Sequence, residues 1–244
     1  MDVVRYPVLE LRQYTLRAGQ RDVLIDLFDR ELVETQEAVG MSVVGQFRDL
    51  DRPDRFVWLR GFTDMPRRAQ ALTSFYNGPA WKAHSAQANA TMIDSDNVLL
   101  LRPVVACSGF PPPAVSRPPA GRTIPPPSRL LATICHRDQP FDEAFVGFYD
   151  RQVRPVLARA GAAPLACFQT EHAENTFPAL PVRTGENVFV WFTRFPSQAH
   201  LTGHLAWLKQ PGHWQRAALA ALTATLASTP QQLRLAPTAR SLLR

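Results

Sequence analysis

FVWLRGF (Phe56–Phe62) and FVWFTRF (Phe189–Phe195) are two versions of one segment, 133 residues apart in a chain of 244. Each is short, aromatic and β-branched, with turn residues close by, which predicts a strand. Working outward, LFDRELVETQEAVG (Leu27–Gly40) recurs as FYDRQVRPVLARAG (Phe148–Gly161). GPAW, ending at Trp81, recurs as PGHW, ending at Trp214. The helix block is displaced by 121 residues and the later blocks by about 133, so the second copy holds an insertion, placed around Glu171–Glu186. Several blocks repeated in one order read as an internal repeat.

Within each copy the hydrophobic period alternates between two and 3.6. Val8 to Thr15 reads as a strand with Val8, Glu10, Arg12 and Tyr14 on one face and Leu9, Leu11 and Gln13 on the other. Val23, Leu24, Leu27, Phe28 and Leu32 follow at helical spacing, and Gly40 and Gly161 stand where a left-handed C-cap would end that helix. Ser42–Phe47 and Phe56–Phe62 read as strands joined by DLDRPD. Asp64 before Pro66 reads as an N-cap and first-turn proline. A further helix carries Trp81 and His84, and Val98–Arg102 closes the unit, a role taken by Gln232–Leu235 in the second copy. The order β-α-β-β-α-β is that of the ferredoxin-like unit.

One such unit leaves a sheet face bare, and two can cover each other. The expected fold is therefore α+β, with two tandem ferredoxin-like (βαββαβ) units packed sheet-to-sheet as an intramolecular dimeric α/β-barrel. The first unit is placed at residues 1–106 and the second at 129–244. Between them, residues 107–128 contain three proline clusters. They read as an extended polyproline linker able to span on the order of 60 Å.

Composition removes several functions. The net charge is +6, but the lysines are only Lys82 and Lys209 and the arginines are scattered, so no basic block marks a nucleic-acid partner. Three cysteines, Cys107, Cys135 and Cys167, match no zinc spacing and suit a reducing compartment. No stretch reaches the roughly 20 apolar residues of a membrane span, and the N-terminus lacks a signal-peptide core, so the expected location is cytoplasmic, with no membrane partner. No glycine loop for phosphate and no GxSxG elbow is present, and no cofactor is expected.

LELRQYTLRAGQ (Leu9–Gln20), WLRGFTDMPRRA (Trp58–Ala69), FYNGPAWKAH (Phe75–His84) and DNVLLLRP (Asp96–Pro103) resemble the NIPSNAP family of the dimeric α/β-barrel superfamily. The likeness covers the first half. The second departs from it, since LLATICH keeps no counterpart of Glu10-Leu11-Arg12. The resemblance implies a fold shared with cofactor-independent oxygenases of polyketide-like aromatics, haem-binding or haem-degrading enzymes and small-molecule cyclases. Their pockets lie between helices and sheet or within the barrel.

Three groups of residues could carry chemistry. Glu10, Arg12 and Tyr14, with Trp58 and Arg60 on another strand, could pair among themselves inside the barrel. They could also form an anion or enol site in which arginine holds a carboxylate and Glu10 or Tyr14 moves a proton. Tyr76 and Trp81 could roof an apolar ligand, with His84 as acid, base or haem ligand. His200 and His204, four apart on one helix with His213 beyond, lack the glutamate of HExxH, and no metal site is assigned. The expected function is binding of a small, partly apolar or anionic molecule, with monooxygenase, isomerase or cyclase chemistry as its extension. A scaffold module and a haem-binding protein are the rivals, and the outer surfaces leave room for homo-oligomers.

Overall fold

A computed structural model describes residues 6–113, 115–210 and 212–244, the side chains of residues 213–216 aside. Trp214, the expected partner of Trp81, and His213 thus have side chains outside the described residues. The first half runs β1 (Val8–Leu16), α1 (residues 21–37), β2 (Ser42–Asp49), β3 (Arg55–Phe62), α2 (Met65–Tyr76), α3 (Pro79–Thr91), a short β4 (Met92–Asp94) and β5 (Val98–Pro103). The second runs β6 (Arg129–Arg137), α4 (residues 143–159), β7 (Ala166–Thr170), β8 (Asn187–Phe195), α5 (Gln198–Lys209), α6 (His213–Ala224) and β9 (Gln231–Pro237).

The caps fall where the side chains dictate. Asp64 Oδ1 accepts the Arg67 N–H at 2.6 Å, and Asp142 Oδ1 accepts that of Phe145 at 2.8 Å. Gly40 and Gly161 end α1 and α4 at φ +94° and +101°, a left-handed backbone that side chains with a Cβ disfavour. Both helices also contain a π turn at the same relative place, Phe28–Leu32 and Tyr149–Val153. Phe28 packs on Phe56 and Trp58, and Tyr149 packs on Phe189 and Trp191.

The strands close on themselves. Within each half the order is the ferredoxin-like one, β2-β3-β1-β5 and β9-β6-β8-β7, all antiparallel. Two seams join the halves: β2 pairs with β9 from Phe47↔Pro237 to Asp49↔Leu235, and β5 pairs with β7 from Leu101↔Thr170 to Pro103↔Phe168. Eight strands thus form a closed barrel without a free edge, and β4 is appended to β1. Leu9, Leu11, Val57, Leu59, Ile134, Val190, Phe192 and Leu235 are among the side chains that fill the interior. The opposite strand face, with Val8, Tyr14, Trp58 and Phe62, lies under Leu24, Phe28, Leu72 and Phe75 of the helices. All eight residues of β3 are buried because one face meets the interior and the other meets helices.

The proline-rich stretch does not stand out as a spacer. It folds back along the barrel, where Phe110 is buried against Phe168 and Phe192 at ring distances of 5.1 and 4.9 Å. Arg117 bonds Glu37 and the Val43 carbonyl, and Arg240 bonds the Pro118 carbonyl. Proline denies the segment ladder hydrogen bonds, so side chains anchor it instead. Phe110→Ala is expected to lower unfolding free energy by about 3 kcal/mol in a denaturant titration, the cost of a buried phenylalanine; an extended linker would lose almost nothing. Among the described residues, no helix is long and apolar enough to cross a membrane.

Candidate functional site

Glu10 and Arg12 sit on β1, Arg60 lies directly across from Glu10 on β3, and Trp58 lies across from Arg12. Alternation puts all four on one face, the outer face beneath the helices, and not inside the barrel as expected. On β1 and β3 the apolar interior takes Leu9, Leu11, Val57 and Leu59, whereas the helix side supplies polar partners. One of these is Arg68 of α2, which shares the buried stripe of that helix with Ala71, Leu72 and Phe75.

Glu10 is the hub. Its Oε2 accepts from Arg12 Nη1 at 2.7 Å and from Arg60 Nε and Nη2 at 3.0 and 2.6 Å, while Oε1 accepts from Arg68 Nε at 2.7 Å. Glu10, Arg60 and Arg68 are fully buried and Arg12 is 1% exposed. Burial by itself raises the carboxyl pKa, but Arg60, Arg12 and Arg68 together more than reverse this and hold Glu10 well below the usual carboxylate range. Among the described residues no second carboxylate pairs with these three arginines. Three cations around one anion leave a surplus of positive charge in a dry place.

The remaining donors are partly used. Arg12 Nε donates to Tyr14 Oη at 3.0 Å, and Arg60 Nη1 donates to Gln36 Oε1 at 3.3 Å. Arg12 and Arg60 also lie 5.5 and 4.9 Å from the Trp58 ring, a cation–π arrangement. Arg68 Nη2 and Trp58 Nε1 are buried donors with no partner among the described residues. Burial lowers the pKa of Arg68, with Glu10 offsetting this only in part. Burial raises that of Tyr14 against the pull of Arg12, so its phenol keeps its proton.

The roof comes from the other half. Residues 171–186, the expected insertion between β7 and β8, cross to the first half, where the Glu171 and Arg183 amides donate to the Leu100 and Val98 carbonyls, both at 2.9 Å. Asn175 Oδ1 and Thr176 Oγ1 accept from Arg68 Nη1 at 2.9 and 3.3 Å. Phe177 stacks on Tyr76 at 5.8 Å, and Tyr76 meets Trp81 at 5.0 Å. The structure therefore brings together Glu10, Arg12, Tyr14, Trp58 and Arg60, with Tyr76 and Trp81 packed in the same layer. His84 lies apart, partly exposed, with Nε2 3.6 Å from Glu31, a surface pairing that removes the haem reading's main residue from the cluster. His200 and His204 also diverge: the first bonds the Ser197 side chain and is exposed, while the second is buried against Ala160.

Arg68, Asn175 and Thr176 were missing from the sequence reading. Arg68 left a trace there, as an arginine on an otherwise apolar helical stripe. Asn175 and Thr176 left none.

The second half keeps the frame and discards the charges. Thr133 pairs across from Trp191 as Arg12 does from Trp58, and Leu131 pairs across from Thr193 as Glu10 does from Arg60. In α5, Leu201 takes the place that Arg68 holds in α2, four residues beyond the N-cap in each case. It packs on Leu131 and Phe195.

Comparison with known proteins agrees with the fold. Residues 9–108 match the NIPSNAP family model. No curated protein matches the chain. In fold, the chain is similar to a "Putative monooxygenase" from Fusobacterium nucleatum subsp. nucleatum ATCC 25586, at TM-score 0.56 and 8% identity, covering 98% of this chain and 94% of that one. It is also similar to an "anthrone oxidase-like protein", at TM-score 0.52 and 12% identity, covering 97% and 93%. A "putative monooxygenase" from Lactobacillus acidophilus NCFM aligns at TM-score 0.51 and 12% identity, covering 96% and 94%. At such identities the likeness establishes the α+β barrel fold and nothing finer. Glu10 and all three of its arginines lie within the segment, residues 9–108, that matches the NIPSNAP family.

Proposed function

We propose that the helix–sheet layer of the first half binds a small, partly apolar molecule as its anion and stabilises negative charge on an enol, phenol or carboxylate oxygen. The observation that carries this reading is the surplus of buried guanidinium charge around Glu10, with Arg68 Nη2 and Trp58 Nε1 left unpartnered. Buried donors without acceptors are costly, and a ligand oxygen would relieve them. Donors held in place by the fold, in a water-poor site, stabilise developing anions strongly. Tyr76, Trp81 and Phe177 supply the apolar side, and residues 171–186 must lift for entry.

Glu10 does not move a proton in this scheme. Its depressed pKa makes it a weak base, and its role is to hold the arginines. An acidic enol or phenol loses its proton to solvent on binding, and the arginines retain the anion. Charge build-up on oxygen of this kind is the step that cofactor-independent oxygenation, isomerisation and cyclisation have in common, and these are the reactions proposed for the site.

4-Nitrophenol tests the first step. Mixed with the full chain at a pH where the free phenol is colourless, it should bind as the yellow phenolate. Arg68→Leu should weaken that binding at least tenfold, since a hydrogen bond to a charged group is worth roughly 1.5–3 kcal/mol. Colourless binding, or an unchanged affinity in Arg68→Leu, would overturn the reading.

A further inference from the structure

The neutral counterpart of the arginine cluster is open. Between the second half's sheet and helices α5 and α6 lies a cavity of about 240 Å³ walled by Leu131, Thr133, Trp191, His204, Leu205 and Leu208. Leu131 and Thr133 stand where the first half has Glu10 and Arg12, and among the described residues no guanidinium lines the space they leave. The tryptophan is kept: Trp191 lines the cavity and is 4% exposed.

Two polar side chains in this layer keep hydrogen-bonding capacity that no described residue uses. His204 is 2% exposed, and its Nδ1 is 3.1 Å from the Ala160 carbonyl oxygen, which assigns the proton to Nδ1. Its Nε2 is then an acceptor to which no described residue donates. Burial lowers the His204 pKa, with the Ala160 carbonyl opposing this only in part, so the ring is neutral. Thr193, fully buried and paired across from Leu131, has an unpartnered Oγ1. Lys209 also lines the cavity and is itself exposed.

We propose that this cavity is a second binding site, for a small neutral planar apolar molecule that donates one hydrogen bond to His204 Nε2. The volume limits the occupant, since drug-sized ligands use roughly 300–1,000 Å³ and this space takes one or two rings. The walls limit its charge, because the one cation among the described lining residues, Lys209, is exposed, and an anion buried against Leu131 and Trp191 would have no desolvated partner. Its class is thus the aromatic alcohols and phenols in their protonated form. One chain would hold two ligand sites built on the same frame, one selecting anions and the other neutral molecules.

Calorimetry on the full chain with three probes of one shape tests this. 2-Naphthol should bind at least tenfold tighter than 2-methoxynaphthalene, which lacks the donor, and than 2-naphthoate, which carries charge. Leu205→Trp and Leu208→Trp, each filling the cavity from α5, should each weaken 2-naphthol at least tenfold while leaving the 4-nitrophenol response intact. Should one of these variants not fold, the other decides. Equal affinity for the three probes would overturn the proposal. So would unchanged 2-naphthol binding in a filled variant that melts like the parent.

Discussion

Glu10→Gln is expected to lower the melting temperature by roughly 10 °C or more. The substitution keeps the shape but replaces an acceptor of four charge-assisted hydrogen bonds with an amide that turns donors toward donors. Removing one partner of a buried ion pair costs about 3–5 kcal/mol, and here three cations lose the same anion. In a domain of this size each kcal/mol moves the midpoint by roughly 2–4 °C. Because the folded-state pKa of Glu10 is depressed, its stabilising contribution is present above its ordinary value of 4.5 and is lost as pH falls below it. The gap between parent and variant should therefore stay constant from pH 8 to about 5 and narrow at lower pH. Calorimetric melting across that range measures it. A shift within about 3 °C at neutral pH would mean that Glu10 is not the hub.

The quadruple variant Glu10→Leu, Arg12→Thr, Arg60→Thr, Arg68→Leu is expected to behave in the opposite way. It copies Leu131, Thr133, Thr193 and Leu201 into the first half, where the surrounding strands and helix already match the second. Taking out a whole buried charge network leaves no stranded ion, and such replacements are often neutral or stabilising by about 1–4 kcal/mol. The variant should melt within a few degrees of the parent or above it, and it should lose phenolate binding by 100-fold or more. Stability and anion binding would then be separated in one protein. A quadruple variant that melts as low as Glu10→Gln would show that the cluster is structural in its own right.

Much of the fold was legible because its signals are local. The matched blocks around Phe56–Phe62 and Phe189–Phe195, the glycine caps and the Asp64 cap each depend on neighbours a few residues away. They all appear where the periodicity placed them. The site was legible in part: alternation along β1 put Glu10, Arg12 and Tyr14 on one face, and a strand pairing brought Trp58 and Arg60 to them. Which side of the sheet that face would turn to was misjudged, because alternation separates two faces without ranking them when both are buried. The proline-rich stretch was misjudged for a similar reason. Its composition excludes a ladder but does not reveal that Phe110 is drawn into the barrel.

By itself the amino-acid order determined the elements, their β-α-β-β-α-β order in each half and the shared face of Glu10, Arg12 and Tyr14 on β1. Only tertiary structure decided three things: the two seams that close the barrel, the arrival of Arg68 from α2, and the crossing of residues 171–186 onto the opposite half. These contacts join residues roughly 60 to 190 apart, and no period of two or 3.6 carries information over such distances. They form because a bare sheet edge, a buried carboxylate and three guanidiniums each need partners that their own neighbourhood in the chain cannot supply.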